Sequence, residues 1–310
     1  KGAHLEQESK QPKRWLFSYL SLYTVKYIEI KTPSPQAKQI PPMSTLFNRT
    51  LIALAMLGAV ASQAQAQDPI KVFAAGSLTG PLTVLAKQFG ASTGESVETV
   101  FGPSGLLLER IERGEKVDVF ASANMAHPQQ LAREGKAIPA LVFARNSVCV
   151  LARPELALNA QNLLSKLLDA NVKFGTSTPR ADPGGDYAWQ LFAKAGAIRP
   201  GAKELLESKA QQLVGGRHSP AVPAGREPVK YFLEEKQVDA FIGYCSSRQT
   251  VADTTFTKVV PPPELAIAAD FGLTVLNEPA GTHDAAYRFA LFLLSPEAQK
   301  TFAAYGFSPL

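Results

Sequence analysis

Short apolar runs alternate with stretches of helical spacing along most of the chain. The run at 71–75 is typical of a strand, and apolar residues at helical spacing follow it from Leu78 to Phe89. A second strand-type run at 97–101 precedes a helix start at 106–111. Strands that alternate with helices predict an α/β protein with mainly parallel sheets flanked by helices.

The alternation continues to the end of the chain. Further strands are predicted at 116–122, 141–143, 147–152, 172–175, 238–244, 256–260, 265–269 and 272–276. Further helices are predicted at 124–135, 156–170, 187–196, 204–213, 226–236, 284–294 and 296–305. About 244 residues of this pattern fit two lobes better than a single sheet.

A serine stands between strand and helix in each of the first two units. Ser77 follows the first strand, and Ser104 lies about 27 residues later in the turn Gly102-Pro-Ser-Gly105. A serine in this place is predicted to cap the helix, and its hydroxyl with the free amides of the helix start suits an anion. Plain capping and anion binding both remain open for each serine. The repetition predicts two helix N-termini that face one pocket.

The net charge of +5 comes entirely from the first 66 residues. The rest of the chain has 24 basic and 24 acidic residues and is therefore neutral. Because it shows no clustered basic and aromatic residues either, nucleic-acid binding is disfavoured.

Residues 43–66 have the three parts of a secretory signal peptide. A short basic start precedes the apolar run 51–61, which is too short to cross a membrane, and Ala64-Gln-Ala66 forms a cleavage motif. We therefore predict a mature chain that begins at Gln67 and a periplasmic location; a buried N-terminal helix is the alternative. Residues 1–42 lack an initiating Met and are predicted to be a non-native upstream segment outside the fold.

The sequence lacks the motifs of several common classes of enzyme. The histidines beyond residue 66 (His127, His218 and His283) have no H-E-x-x-H pattern or cysteine partners, which disfavours a zinc enzyme. No P-loop and no strand followed by G-x-G-x-x-G is present, so nucleotide binding has no support. A serine-dependent enzyme that uses Ser77 or Ser104 as nucleophile is an alternative, but no base in a recognisable context accompanies either serine. We predict that the protein is not an enzyme.

Cys149 and Cys245 are the two cysteines of the chain, and both follow the predicted signal peptide. An oxidising compartment permits a disulfide between them, but a spacing of 96 residues does not establish one. A disulfide and two buried thiols therefore both remain open.

Five motifs occur in the order found in the periplasmic molybdate-binding proteins of ABC importers, which the chain resembles over nearly all of 70–307. They are Phe73-Ala-Ala-Gly-Ser-Leu78, Phe101-Gly-Pro-Ser-Gly105, Val117-Asp-Val-Phe-Ala-Ser122, Asp239-Ala-Phe-Ile-Gly-Tyr244 and Ser295-Pro-Glu-Ala-Gln-Lys-Thr-Phe-Ala-Ala-Tyr-Gly-Phe307. The resemblance implies a two-lobed type II periplasmic binding fold with the ligand cleft between the lobes. Lobe one is expected to comprise 70–147 plus 253–310, and lobe two 148–252.

The resemblance also implies a ligand site. Such proteins hold molybdate or tungstate without a metal cation or cofactor, by two serines of lobe one and by amides and a tyrosine hydroxyl of lobe two. Ser77 and Ser104 match the serines, and Tyr244 matches the tyrosine. The amide donors are expected at Gly184 and near Arg226.

Two residues depart from the commoner pattern of these proteins. Arg226 stands where an apolar residue is usual, and its side chain is expected either to strengthen anion binding by charge or to remain in water while only its amide matters. Asp186 stands beside a pair of glycines and is expected to cap the helix that contains Tyr187. If Asp186 faced the anion instead, it would repel it unless it paired with Arg226 or Arg180.

The expected partners follow from the same resemblance. They are a small oxyanion and an inner-membrane ABC permease, and the protein itself is expected to be a monomer. A receptor for another oxyanion, such as sulfate or phosphate, is an alternative. An anion-sensing module that is separate from transport is a further alternative.

Overall fold

The alternating pattern of the sequence is realised in a mixed α/β arrangement. The computed structural model describes residues 68–246, 254–277, 283–308 and residue 310, which all belong to a unit that spans 65–310. The predicted upstream segment and signal peptide lie outside the described residues. Within the described ranges, no helix has both the length and the apolar character that a membrane crossing requires.

The strands and helices follow one another as the sequence predicts for an α/β protein. The strands are β1 (Ile70–Ala75), β2 (Val97–Gly102), β3 (Val119–Ser122), β4 (Leu141–Ala152), β5 (Phe174–Ser177), β6 (Gln211–Val214), β7 (Ala240–Tyr244), β8 (Thr257–Val259) and β9 (Ala268–Val275). The helices are α1 (Thr79–Thr93), α2 (Ser104–Glu112), α3 (Ala126–Arg133), α4 (Leu163–Leu168), α5 (Pro183–Ile198), α6 (Ala202–Lys209), α7 (Pro228–Glu234), α8 (His283–Leu293) and α9 (Pro296–Ala304). Single 3-10 turns lie at Gly76–Leu78 and Pro154–Leu156.

The strands form one path in the order β2-β1-β3-β9-β4-β7-β5-β6, and β8 also pairs with β4. Strand β4 is long enough to belong to two groups of strands. Its residues 141–147 pair with β9, and its residues 148–152 pair with β7. We call β2, β1, β3, β9 and residues 141–147 the first half-sheet, and residues 148–152, β7, β5, β6 and β8 the second half-sheet.

The exchange of partners along β4 is abrupt. Ser147 pairs with Ala268 of β9, whereas the next residue, Val148, pairs with Tyr244 of β7. Strand β8 pairs with residues 150–152 and so lies on the second half-sheet. The predicted lobe boundaries remain a prediction.

Helices cover both faces of the first half-sheet. Successive side chains of a strand point to opposite faces, so Val72 and Ala74 of β1 enter one buried cluster while Phe73 enters another. The neighbouring strand repeats this arrangement, with Val119 in the first cluster and Phe120 in the second. A strand buried on both faces explains the continuous apolar run that marked β1 in the sequence.

Two predicted pairs of strands are single strands in the structure. Residues 141–143 and 147–152 are both parts of β4, and 265–269 and 272–276 contribute to β9. The polar segment between the two parts of β4 is extended because β9 pairs with it, with Arg145 opposite Asp270. Backbone pairing of this kind is tertiary, and the local apolar pattern does not report it.

The predicted helix 204–213 ends early. Helix α6 stops at Lys209, and the residues that follow it form β6, which pairs in parallel with β5. Helix α5 is longer than the predicted helix 187–196, because it begins at Pro183 instead of residue 187. Asp182 caps it through an Oδ1 atom that accepts from the Gly184 amide at 2.9 Å, and proline is favoured in the first turn.

A disulfide joins the two central strands of the second half-sheet. Cys149 lies on β4 opposite Gly243 of β7, and Cys245 directly follows β7. Their sulfur atoms are bonded, and their Cα atoms are 4.8 Å apart. The bond closes a loop across a sequence separation of 96 residues.

Removing this disulfide is expected to destabilise the fold. In the variant with Cys149→Ala and Cys245→Ala, the free energy of unfolding should fall by about 2 to 4 kcal/mol, because the unfolded chain is no longer constrained by a long loop. Urea unfolding followed by circular dichroism measures the change. Wild-type protein unfolded under reducing conditions is the control and should move towards the variant. Equal midpoints for oxidised wild type and variant would contradict the expectation.

Candidate functional site

Three strand ends of the first half-sheet place their following turns side by side. Ala75 of β1 pairs in parallel with Gly102 of β2, so Ser77 and Ser104 each lie two residues beyond the same level of the sheet. Ala74 pairs with Ala121 of β3, which brings the end of that strand to the same edge. Ligands of open α/β sheets bind at the carboxyl ends of the strands. The structure therefore places both predicted serines at one such edge.

Ser77 does not cap a helix. It lies in the 3-10 turn Gly76–Leu78, and α1 begins only at Thr79, with Leu78 in the capping position and no side-chain cap. The capping expectation is wrong here because the extra turn moves the helix start two residues past the serine. The Ser77 Oγ is buried and has no hydrogen-bond partner among the described residues.

Ser104 does not cap a helix either. It is the first residue of α2, where Pro103 occupies the capping position without a side-chain hydrogen bond. The Ser104 side chain is buried, and its Oγ accepts a hydrogen bond from the Ala123 amide at 3.1 Å. The Ala123 amide, directly after β3, thus occupies the serine oxygen that would otherwise accept from an amide of α2. Accepting this bond leaves the Ser104 hydroxyl hydrogen free to point elsewhere.

Tyr244 is the second buried hydroxyl without a partner at this site. It ends β7, and its Oη has no hydrogen-bond partner among the described residues. Burial raises the pKa of the Tyr244 phenol well above its usual value, and the charge of Asp182 adds to the rise. The phenol therefore remains a neutral hydrogen-bond donor at physiological pH.

Tyr187 connects Tyr244 to the sheet edge at which Ser77 and Ser104 lie. The Tyr187 and Tyr244 rings meet edge to face with their centroids 6.2 Å apart. The Tyr187 hydroxyl donates to the Ala123 carbonyl at 3.2 Å, and the Ala123 amide is the group that donates to Ser104. These contacts bring Ser104 and Tyr244, from different half-sheets, into one neighbourhood. The sequence analysis did not select Tyr187 as a site residue.

The backbone amide of Gly184 is already used. It donates to Asp182 Oδ1, the cap of α5, so the predicted role of this amide as an anion donor competes with a formed hydrogen bond. Asp182 was missed in the sequence, although Asp182-Pro183 is a common helix start signal. A side chain at position 184 would contact Ser177, because a Cβ atom built there lies 3.1 Å from the Ser177 Oγ.

The described contacts of Arg226 lie around the start of α7, and its predicted role in ligand binding stays a prediction. Its guanidinium forms an ion pair with Glu234 and lies over the Tyr231 ring, 5.3 Å from the centroid. Its amide donates to the Pro223 carbonyl at 3.1 Å. Both groups proposed for ligand binding are therefore occupied at the protein surface, where α7 begins. The Arg226 side chain was expected either to bind the anion by its charge or to remain in water, and its exposure of 43% agrees with the second expectation.

Asp186 does not cap the helix of Tyr187, because α5 has already begun at Pro183. The Asp186 Oδ1 accepts from the Arg180 amide at 2.8 Å, which ties the first turn of α5 to the preceding loop. Burial raises the pKa of Asp186, while the hydrogen bond and charge of Arg180 oppose the rise. Asp186 thus places an acidic group beside the site, on the side of the second half-sheet.

The turn after β2 packs tightly against the loop before α5. The Gly105 amide donates to the Ala181 carbonyl at 2.9 Å. A Cβ atom at position 105 would lie 2.1 Å from the Arg180 carbonyl oxygen, so only glycine allows this approach. An ion pair between Glu109 of α2 and Arg217 also bridges the two half-sheets. Elements of both half-sheets therefore meet directly beside Ser104.

A half-buried histidine lies behind the same edge. Ser122, the last residue of β3, has its Oγ 3.3 Å from the Nδ1 of His127. Burial lowers the pKa of His127 to about 4, so this imidazole is neutral at physiological pH. Within the described residues, no group of three or more His, Cys, Asp and Glu side chains is arranged to hold a metal ion.

Residues 70–308 match the family model described as bacterial extracellular solute-binding protein. The chain belongs to this family. An uncharacterised protein of Pasteurella multocida is 36% identical over 213 residues, which cover 68% of this chain and 88% of the relative. The molybdate-binding protein ModA of Azotobacter vinelandii is 30% identical over 168 residues, which cover 53% of this chain and 65% of ModA.

Solved structures show the same fold. The periplasmic molybdate-binding protein of Azotobacter vinelandii aligns with a TM-score of 0.63 and 21% identity over 78% of this chain and 99% of its own. The sulfate-binding protein SubI of Mycobacterium tuberculosis aligns with a TM-score of 0.61 and 19% identity over 78% of this chain and 87% of its own. The expected periplasmic binding protein fold is confirmed.

Gly105→Ala is expected to keep the two half-sheets apart at the site. The new methyl group would overlap backbone atoms that cannot rotate away, so the free energy of unfolding should fall by about 1 to 3 kcal/mol, the usual cost of overpacking. Urea unfolding measures this change. Gly102→Ala is the matched control, since its Cβ meets only the Leu107 side chain at an ordinary distance of 3.5 Å. Equal free energies of unfolding for the two variants would contradict this expectation.

His127 is expected to make folding sensitive to acid. Its pKa of about 4 in the folded state lies below the usual 6.5, so its stabilising contribution is complete above pH 6.5 and is lost as the pH falls towards 4. The free energy of unfolding of wild type should therefore fall by up to about 3 kcal/mol between pH 6.5 and 4, and His127→Gln should lack this fall. Urea unfolding at several pH values tests it, with the exposed His218→Gln as control. A pH dependence that matches wild type would refute the assignment.

Proposed function

We propose that this protein is a periplasmic receptor that captures molybdate, and also tungstate, and delivers it to an inner-membrane ABC permease. The buried hydroxyls of Ser77 and Tyr244, which have no hydrogen-bond partner among the described residues, are the observation that carries the proposal. Buried polar groups usually find a partner, and a bound oxyanion offers acceptors to both. The resemblance to molybdate-binding proteins supports molybdate as that oxyanion.

Neutral donors suit the capture and release of an anion. Hydrogen bonds to a charged acceptor contribute about 1.5 to 3 kcal/mol each, so a few hydroxyls and amides are enough for tight binding without a cation. Contacts such as Gly105 to Ala181 and Tyr187 to Ala123 join the half-sheets around the ligand. Hinge closure of this kind couples binding to recognition by a permease.

The size of the oxyanion is proposed to set selectivity. Donors that are spaced for molybdate leave hydrogen bonds unmade around the smaller sulfate, and each unmade bond in a buried site costs affinity. Calorimetry with molybdate, tungstate, sulfate and phosphate tests this directly. Tight binding of molybdate and tungstate is expected. Tight sulfate binding with no response to molybdate would end the proposal.

A double substitution tests the proposed site. Ser77→Ala with Ser104→Ala should weaken molybdate binding about 100-fold or more, because two hydrogen bonds to a charged ligand are lost. The fold should change little, since among the described residues the Ser77 hydroxyl makes no hydrogen bond and the Ser104 hydroxyl makes only one. Binding is measured by calorimetry, and stability by thermal unfolding.

The matched control removes two serine hydroxyls elsewhere. Ser92 and Ser208 each donate to a carbonyl of their own helix, so Ser92→Ala with Ser208→Ala should retain wild-type affinity. Tight molybdate binding by the Ser77 and Ser104 double variant would place the ligand at another part of the molecule.

A receptor for a protonated oxyanion, such as hydrogen phosphate, is a second candidate. It is favoured by Asp182, whose charge reaches the Tyr244 phenol, and by the nearby Asp186. Carboxylates repel a fully ionised dianion but accept a hydrogen bond from a protonated one. In the calorimetric panel, preferential phosphate binding that strengthens as the pH falls below 7 would select this candidate over molybdate.

A serine-dependent enzyme has less support. Neither Ser77 nor Ser104 contacts a histidine or carboxylate in the part of the chain that the structure describes, whereas nucleophilic serines need an adjacent base. The matched family also consists of solute-binding proteins. Covalent labelling of either serine by an active-site-directed reagent would favour the enzyme.

A further inference from the structure

The buried Tyr187 and the half-buried Tyr244 lie next to each other at the candidate site, and they use their hydroxyls differently. The Tyr244 hydroxyl has no partner among the described residues, whereas the Tyr187 hydroxyl donates to the Ala123 carbonyl at 3.2 Å. Tyr187 belongs to α5, which packs on β5 and β7 of the second half-sheet, and Ala123 follows β3 of the first. This hydrogen bond therefore crosses between the half-sheets.

The acceptor of this bond is itself connected to the site. The same residue, Ala123, donates its amide to Ser104 at 3.1 Å. The Tyr187 ring also supports Tyr244, with an interplanar angle of 73° between the two rings. One side chain thus links a serine donor of one half-sheet, through Ala123, with the tyrosine donor of the other.

We propose that Tyr187 is a positioning residue that fixes Ser104 and Tyr244 relative to each other when the half-sheets meet around the ligand. It does this through its hydroxyl bond to Ala123 and its edge contact with Tyr244. The inference rests on the proposed function. Tyr187 is 8% exposed, and its own hydroxyl is occupied by the protein, so it acts through Ala123 and Tyr244 instead of touching the anion.

A positioning role predicts a specific kinetic effect. The bond between Tyr187 and Ala123 forms when the half-sheets are together, so its loss should speed opening of the site. The association rate of molybdate should stay the same as in wild type, because the hydroxyls that contact the ligand are intact. The expected change is an increase in the dissociation rate with little change in the association rate.

Tyr187→Phe is the variant that tests this role, because it removes only the hydroxyl and retains the ring against Tyr244. Molybdate affinity should fall roughly 3- to 10-fold, the scale of one lost neutral hydrogen bond, and stopped-flow measurements should assign the loss to dissociation. Tyr305→Phe is the control, since Tyr305 lies at the end of α9 on the first half-sheet side. It should retain wild-type rates.

Hydrogen exchange of the ligand-free proteins provides a second measurement. In Tyr187→Phe, amides of the peptides that contain Ser104 and Ala123 should exchange faster than in wild type, while peptides from α8 and α9 should be unchanged. Unchanged exchange at Ser104 and Ala123 would overturn the proposal, even if no oxyanion bound to wild type.

The outcomes separate this inference from the proposed function. If wild type binds molybdate and Tyr187→Phe shows the same dissociation rate, the positioning role is wrong and the proposed function stands. If wild type binds no oxyanion but exchange accelerates as expected, the proposed function fails and the link between the half-sheets stands. A loss of affinity that comes entirely from slower association would also refute the positioning role.

Discussion

A hydroxyl that is buried without a hydrogen-bond partner costs about 1 to 3 kcal/mol, and Ser77 and Tyr244 have such hydroxyls as far as the described residues show. The two residues come from different half-sheets, after β1 and at the end of β7. A ligand that accepts hydrogen bonds from both would offset the cost in each half-sheet at once. The hydrogen bonds of these two hydroxyls would thus provide affinity for the ligand and also stabilise the contact between the half-sheets.

The continuity of β4 makes this arrangement possible. One strand serves both half-sheets, and its partner changes between Ser147 and Val148, directly opposite Tyr244. The disulfide of Cys149 and Cys245 and the hydrogen bond from Asn146 to Ser246 fasten the same place. Tyr244 therefore projects from a part of the chain that strand pairing, a disulfide and a hydrogen bond hold in place, which favours a fixed hydroxyl position over a mobile one.

Two acidic side chains lie near the candidate site. Burial raises the pKa of the Tyr244 phenol, and the charges of Asp182 and Asp186 add to the rise, while Arg226 pairs with Glu234. Under the proposed function, an anion is therefore attracted by hydroxyl and amide dipoles instead of a full positive charge. Such a site discriminates by the number and placement of donors, which is why its geometry matters more than the net charge of the chain.

The sequence by itself determined the α/β class, the order of most strands and helices, and the placement of Ser77, Ser104 and Tyr244 at strand ends, because apolar periodicity and turn residues report local structure. It did not reveal that the serines leave their helices uncapped, that the Gly184 amide is taken by Asp182, that the Arg226 amide is taken by Pro223, or that Tyr187 reaches Ala123. Those features depend on contacts between residues distant in the chain. Only the tertiary structure decides which donors are satisfied by the protein and which remain for a ligand.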